Sequence, residues 1–134
     1  MKIIYIAHPI GGDTKKNLKK VAKIAREINL AYPDVVPMAG YFLDCYALDD
    51  NIPEERNRGI KNDTEFFKRK IIKEVWCYGN KISNGMWREI NTARAMDIPI
   101  RFMSRGTMKY WLKDGRVKKT MAEVEEEDSR EFPF

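Results

Sequence analysis

IIYIAHPIGGDT, from Ile3 to Thr14, is the stretch on which the fold class turns. Ile3 to Ala7 is apolar without alternation, the pattern of a strand covered on both faces, as in a parallel sheet. Gly11-Gly12-Asp13-Thr14 then supplies turn residues and a helix N-cap. From Asn17 to Tyr32 the residues Leu18, Val21, Ala22, Ala25 and Ile28 form one apolar stripe, and Asp34 to Met38 begins a second strand. The chain therefore opens with a β-α-β unit.

The alternation continues. Pro53 can begin a second helix, which Ile60, Thr64, Phe67 and Ile71 carry to about Ile72. Lys73 to Tyr78 reads as a third strand, Gly85 to Met96 as the next helix, and Ile98 to Met103 as a fourth strand. Ala39 to Asn51 is rich in aromatic and acidic residues without a period, which predicts a loop near a site. Strands alternating with helices predict an α/β fold, a doubly wound parallel sheet of Rossmann-like or flavodoxin-like type. Beyond Ser104, Met108 to Leu112 and Arg116 to Thr120 flank Lys113-Asp114-Gly115, a signal for a C-terminal β-hairpin extension. At 134 residues the chain suits one domain, with a core over 1–103 and the hairpin and an acidic tail over 104–134.

A hydrophobic share of 43% beside 34% charged residues is ordinary for a soluble globular protein. No apolar stretch approaches membrane-spanning length, and the opening run stops at His8-Pro9 without a signal-peptide pattern, so a cytoplasmic protein is expected. Cys45 and Cys77 form no CxxC pair, and His8 is the sole histidine. Neither a disulfide framework nor a metal cluster is predicted, and no cofactor is implied. The net charge of +5 divides into −5 over Met121 to Phe134 and +10 elsewhere. Lys15, Lys16, Lys19, Lys20, Lys23 and Arg26 lie on the outward side of the first helix; without interleaved aromatics they read as a solvated face in preference to a nucleic-acid patch. A phosphate-bearing small ligand fits the same charge.

In an open α/β sheet, ligands bind outside the carboxyl ends of the strands. Three segments arrive there: His8 to Thr14, with Gly11 and Gly12; Gly40 to Asp50, with Asp44; and Gly79 to Met86. Ser83-Asn84-Gly85 opens a helix whose N-terminus can face an anion, although such caps also end loops that bind nothing. Glu89 borders the apolar stripe of that helix, and its neighbours three and four positions away are Gly85, Met86, Thr92 and Ala93, so no cation of the helix pairs with it at the usual spacing. Asp63 borders the stripe of the helix from Pro53 in the same way, if Gly59 does not interrupt it; otherwise Asp63 is an N-cap before Thr64. Two carboxyl groups at one sheet edge suit chemistry at an acetal-like carbon, where one attacks and another assists the leaving group.

Ile4-Tyr5-Ile6-Ala7-His8-Pro9, Arg58 with Asp63, and Ser83-Asn84-Gly85-Met86-Trp87-Arg88-Glu89 resemble the nucleoside 2-deoxyribosyltransferase-like superfamily. The likeness covers roughly Met1 to Met103 and is nearest to small phage and bacterial members in which a Gly-Met-x-x-Glu-Ile segment recurs. It implies that Glu89 is a nucleophile for C1′ of a deoxyribose, that Asp63 is associated with the departing base and that Tyr5 stands near the nucleophile. Tyr5 is also explicable as a core strand residue, and the core reading is preferred to the catalytic one. The likeness to the deoxynucleoside 5′-monophosphate N-hydrolase branch implies that Ser83 and Gly85 hold a 5′-phosphate. His8 stands where many members have glycine. Arg130 to Phe134 offers no match to the asparagine that transferases supply to a neighbouring subunit, which leaves hydrolysis or binding. Trp76 and Trp87 read as packing residues, either of which could stack on a base.

The expectation is an N-glycosidase acting on a deoxynucleoside or its 5′-monophosphate, with Glu89, Asp63 and Tyr5 catalytic. His8, Gly11, Gly12, Asp44, Arg58, Ser83, Gly85 and Met86 are expected around the substrate. The alternatives are a module that binds a nucleotide or nucleotide-derived signal without turnover, and a nucleic-acid binder using the lysine-rich helix. A homo-oligomer, most simply a dimer, is expected from the likeness and from Tyr41, Phe42, Tyr46, Tyr110 and Trp111, which lie outside the predicted core stripes. Burial within one chain is the competing account of those aromatics.

Overall fold

A computed structural model of the chain describes residues 1–108. Strand β1 (Lys2–Ala7) lies between β2 (Val35–Met38) and β3 (Ile72–Cys77), and β4 (Ile100–Phe102) joins the far side of β3, giving the order β2-β1-β3-β4 with every pairing parallel. The unbroken apolar run of β1 follows from this position. Ile4 and Ile6 pack on one face with Val21 and Ile28, while Tyr5 and Ala7 pack on the other with Phe67, Met86 and Ile90.

Helix α1 (Thr14–Ala31) starts three residues earlier than its apolar stripe suggests, because Asp13 caps it by accepting from the backbone N–H of Lys16. Asn17, already inside the helix, donates to the carbonyls of Ile10 and Gly11 and closes the β1–α1 loop. Gly12, at φ +93°, makes the turn that other residues rarely adopt. The lysines of α1 are exposed.

The segment expected as a loop from Ala39 to Asn51 contains a helix, α2 (Tyr41–Ala47). None of its residues is fully buried, so it presents no stripe for a sequence pattern to reveal. Helix α3 (Pro53–Lys68) runs unbroken through Gly59, which settles Asp63 as a residue of the helix interior and not a cap. The helix stops at Lys68, and Ile72 belongs to β3. Helix α4 (Asn84–Ala95) is capped by Ser83 and leads through Asp97, at φ +57°, into β4. The right-handed crossover rule puts α1 on one face and α3 and α4 on the other, in agreement with the two apolar clusters. Trp76 and Trp87 are both buried in these clusters as packing residues. The hairpin expected over Met108–Thr120 falls, apart from Met108, outside the described residues, as do Tyr110 and Trp111.

Strand order reverses between β1 and β3, since the chain leaves β1 toward β2 and leaves β3 toward β4. A doubly wound sheet opens a crevice at that point, at the carboxyl ends of its strands. No helix among the described residues is long and apolar enough to cross a membrane.

Candidate active site

A cavity of about 320 Å³ occupies this crevice. Its wall is made by the β1–α1 loop, α2, the first half of α3 and the first turns of α4. His8, Gly11, Asp44, Asp63, Ser83, Gly85, Met86 and Glu89, named from the sequence, all line it. Tyr5 lies beneath them, fully buried.

Tyr5 joins the two carboxyl groups. Its hydroxyl stands 2.6 Å from Asp63 Oδ2 and also contacts Glu89 Oε2. A phenol has one proton to donate, so its second contact requires a carboxyl group that donates to it. Burial raises the carboxyl of Glu89 well above its ordinary range, and the charge of Asp63 adds to this; burial likewise raises Asp63. Arg88 pulls both values down without overcoming burial. The two Tyr5 contacts therefore call for one proton held between the carboxyl groups, as close acids in an apolar site share one. Burial and the charges of Glu89 and Asp63 push Tyr5 up, so it remains a phenol.

The ring of Tyr5 belongs to the core, with its centroid 5.0 Å from that of Phe67 and 5.9 Å from that of Tyr41. The two readings of this residue are compatible: ring in the core, hydroxyl at the site. Gly40 lets the start of α2 approach α3, because a Cβ there would stand 3.0 Å from Asp63 Oδ1 and 2.8 Å from the Phe66 ring. Asp63 Oδ1 is sealed from solvent and has no hydrogen-bond partner.

At the other end of the cavity, Ser83 Oγ accepts from the Met86 N–H at 3.2 Å, and the Ser83 carbonyl accepts from Trp87. The N–H groups of Asn84 and Gly85 remain as the open donors of the helix start. A Cβ on Gly85 would meet only Ser83 Oγ, at 4.0 Å, so this side of the helix faces open space.

Two expected residues do not line the cavity. Arg58 is exposed and donates along its own helix to Asn62, which donates to Asp44 of the cavity wall, and Gly12 shapes the loop without lining the cavity. The helix face that reaches the cavity carries Arg56, Gly59, Ile60 and Asp63, which is a spacing of three, four and seven. Arg56 lies two turns before Asp63, and this phase was the available signal for it; Arg58 is off that face. Cys45 also lines the wall, but burial and the nearby Asp50 and Asp44 push its thiol up to about 11. That excludes a ready thiolate at neutral pH. Among the described residues no group of His, Cys, Asp and Glu side chains is arranged to hold a metal ion.

A family model matches residues 2–103, from the first residue of β1 to just past β4. The chain belongs to the family DUF7768, a domain of unknown function. The match covers the whole sheet and every residue of the Tyr5-Asp63-Glu89 group, so the cavity lies within the part that defines a DUF7768 domain. No curated protein and no solved structure matches the chain.

Proposed function

We propose that this DUF7768 domain is an N-glycosidase of the nucleoside 2-deoxyribosyltransferase type, cleaving a deoxynucleoside or its 5′-monophosphate through Glu89. The observation that carries the reading is the contact of one tyrosine hydroxyl with two buried carboxyl groups at the floor of a cavity. Breaking an N-glycosidic bond needs a carboxylate to meet the anomeric carbon and an acid to protonate the leaving base. One shared proton on two carboxyl groups supplies both.

In this mechanism Glu89 donates its proton to the Tyr5 oxygen while Tyr5 passes its own to Asp63. The shift leaves Glu89 ionised, Tyr5 unchanged and Asp63 protonated. Asp63 then protonates the base as the C1′–N bond breaks, and a Glu89 oxygen forms a bond to C1′. Water attacks C1′ in the second step and gives a proton to Asp63, releasing deoxyribose and Glu89. The cavity is of a size for one nucleoside, at the lower end of the range for small-molecule sites.

The runner-up is a binding module for the same class of ligand. It is favoured by the raised carboxyl of Glu89, since a protonated carboxyl donates to a hydroxyl and is not a nucleophile. Incubating the protein with mixed deoxynucleosides and deoxynucleotides and measuring free base tests the first reading. Base release that disappears in Glu89→Gln supports it, and tight ligand binding without release supports the runner-up.

We also propose a cytoplasmic protein that works as a homo-oligomer. Leu43 and Tyr46, one turn apart on α2 beside the cavity, are exposed at 73% and 61%. Tyr41 and Phe42 are half-buried against the apolar clusters and are explained within one chain. Light scattering at micromolar concentration checks this, and a monomer mass contradicts it.

A further inference from the structure

His8 follows β1 and, like Ser83, lines the cavity. β1 and β3 are adjacent, the N–H of Tyr78 donates to the Ala7 carbonyl at 2.9 Å, and a Cβ on Gly79 would stand 3.8 Å from His8 Cδ2. His8 Nδ1 is 2.7 Å from the Pro9 carbonyl oxygen. A carbonyl only accepts, so Nδ1 carries the ring proton and Nε2 of the neutral ring is an acceptor. The ring lines the cavity, and its Nε2 has no partner among the described residues. Burial favours the neutral form, and Lys20 opposes a second positive charge.

Charge on the rest of the wall points the same way. The cavity is lined by five acids against the guanidinium groups of Arg56 and Arg88. Even with one proton shared by Asp63 and Glu89, negative charge exceeds positive. The start of α4 has spent its Met86 N–H on Ser83. A phosphate beside His8 would find an uncharged ring nitrogen presenting a lone pair.

Resting on the glycosidase reading above, we infer that His8 determines specificity by accepting a hydrogen bond from a sugar hydroxyl, which selects the unphosphorylated deoxynucleoside over its 5′-monophosphate. A hydroxyl has the proton that Nε2 needs. A phosphate oxygen at neutral pH does not.

The test is kcat/KM for the four common 2′-deoxynucleosides and their 5′-monophosphates with wild type, His8→Phe and His8→Gln. The expected result is a preference of about tenfold or more for at least one nucleoside over its monophosphate, as for a buried hydroxyl partner. The preference should be lost in His8→Phe through a raised nucleoside KM and kept in His8→Gln, whose amide oxygen still accepts. A wild-type preference for the monophosphate, or equal losses on both substrates in His8→Phe, overturns the inference. Cleavage of neither class removes the glycosidase reading, and calorimetric titration of the same compounds then decides. Tighter nucleoside binding that is lost in His8→Phe sustains the role of His8; tighter monophosphate binding, or binding of neither, overturns it.

Discussion

Tyr5 and Glu89 stand 84 positions apart in the chain, and the hydroxyl of one is hydrogen-bonded to the carboxyl of the other beneath the cavity. The same hydroxyl is 2.6 Å from Asp63, so strand β1 and helices α3 and α4 meet at one oxygen atom. Tyr5→Phe keeps the ring in its place among Tyr41 and Phe67 and removes only this junction. The expected outcome is a folded protein, destabilised by about 1–3 kcal/mol, whose base release falls by about 10²-fold or more for want of a proton path. Urea unfolding and a base-release assay on the same sample check both parts.

The shared proton has a sign in stability. A carboxyl raised in the folded state keeps its proton where the unfolded chain, with an ordinary value of 4.5 for Glu89, has released it. Stability must therefore fall as pH rises above that value toward the raised one, with a slope of up to about 1.4 kcal/mol per pH unit for one proton. Glu89→Gln should flatten this limb and be more stable than wild type at pH 7. Urea midpoints measured from pH 4 to 8, on the order of ten points, make the comparison.

Glu74 supplies the opposite limb. Burial pulls its carboxyl up, but hydrogen bonds from Lys2, Trp76 and Arg101 outweigh that and hold it at about 2. A depressed carboxyl stabilises the fold above its unfolded value of 4.5, and the contribution is lost as pH falls from there toward about 2. Glu74→Gln is expected to lose stability at pH 7 and to lose little more on acidification, which thermal melts from pH 7 to 3 reveal.

Arg56 and Arg58 are two residues apart, and only the first reaches the cavity. Arg56→Ala should raise KM or the ligand dissociation constant about five- to tenfold, the scale of one charge-assisted contact. Arg58→Ala should leave both within twofold, roughly the error of such assays. Equal effects would mean that the helix face has been assigned to the wrong phase.

Much of this was legible because burial leaves a period. The unbroken run of β1 announced a parallel sheet, and the stripe of α4 placed Glu89 at a buried border, whereas Gly59 left Asp63 between a helix border and an N-cap. Helix α2 left no such mark, since its residues are half-buried on one side and exposed on the other within seven positions. Arg58 was named from likeness to a family motif and not from the phase that Asp63 sets, and it does not line the cavity. Glu74 drew no notice in the sequence: its partners come from β1 and β4, and which strands flank β3 is a property of the sheet order. The hydroxyl of Tyr5 was legible only as one of two uses of a tyrosine, because the sequence does not say where a core ring ends.

The most direct measurement is peptide mass spectrometry after incubation with 2-deoxy-2-fluoro nucleosides, in which the fluorine slows departure of the sugar from a covalent intermediate. If Glu89 is the nucleophile, base is released and a fluorodeoxyribosyl group remains on the peptide that contains Glu89, while Glu89→Gln shows neither. Tight binding of a deoxynucleoside or deoxynucleotide with no base release from natural substrates and no adduct would contradict the account, and Glu89 would then be a hydroxyl-binding acid in a site that only binds.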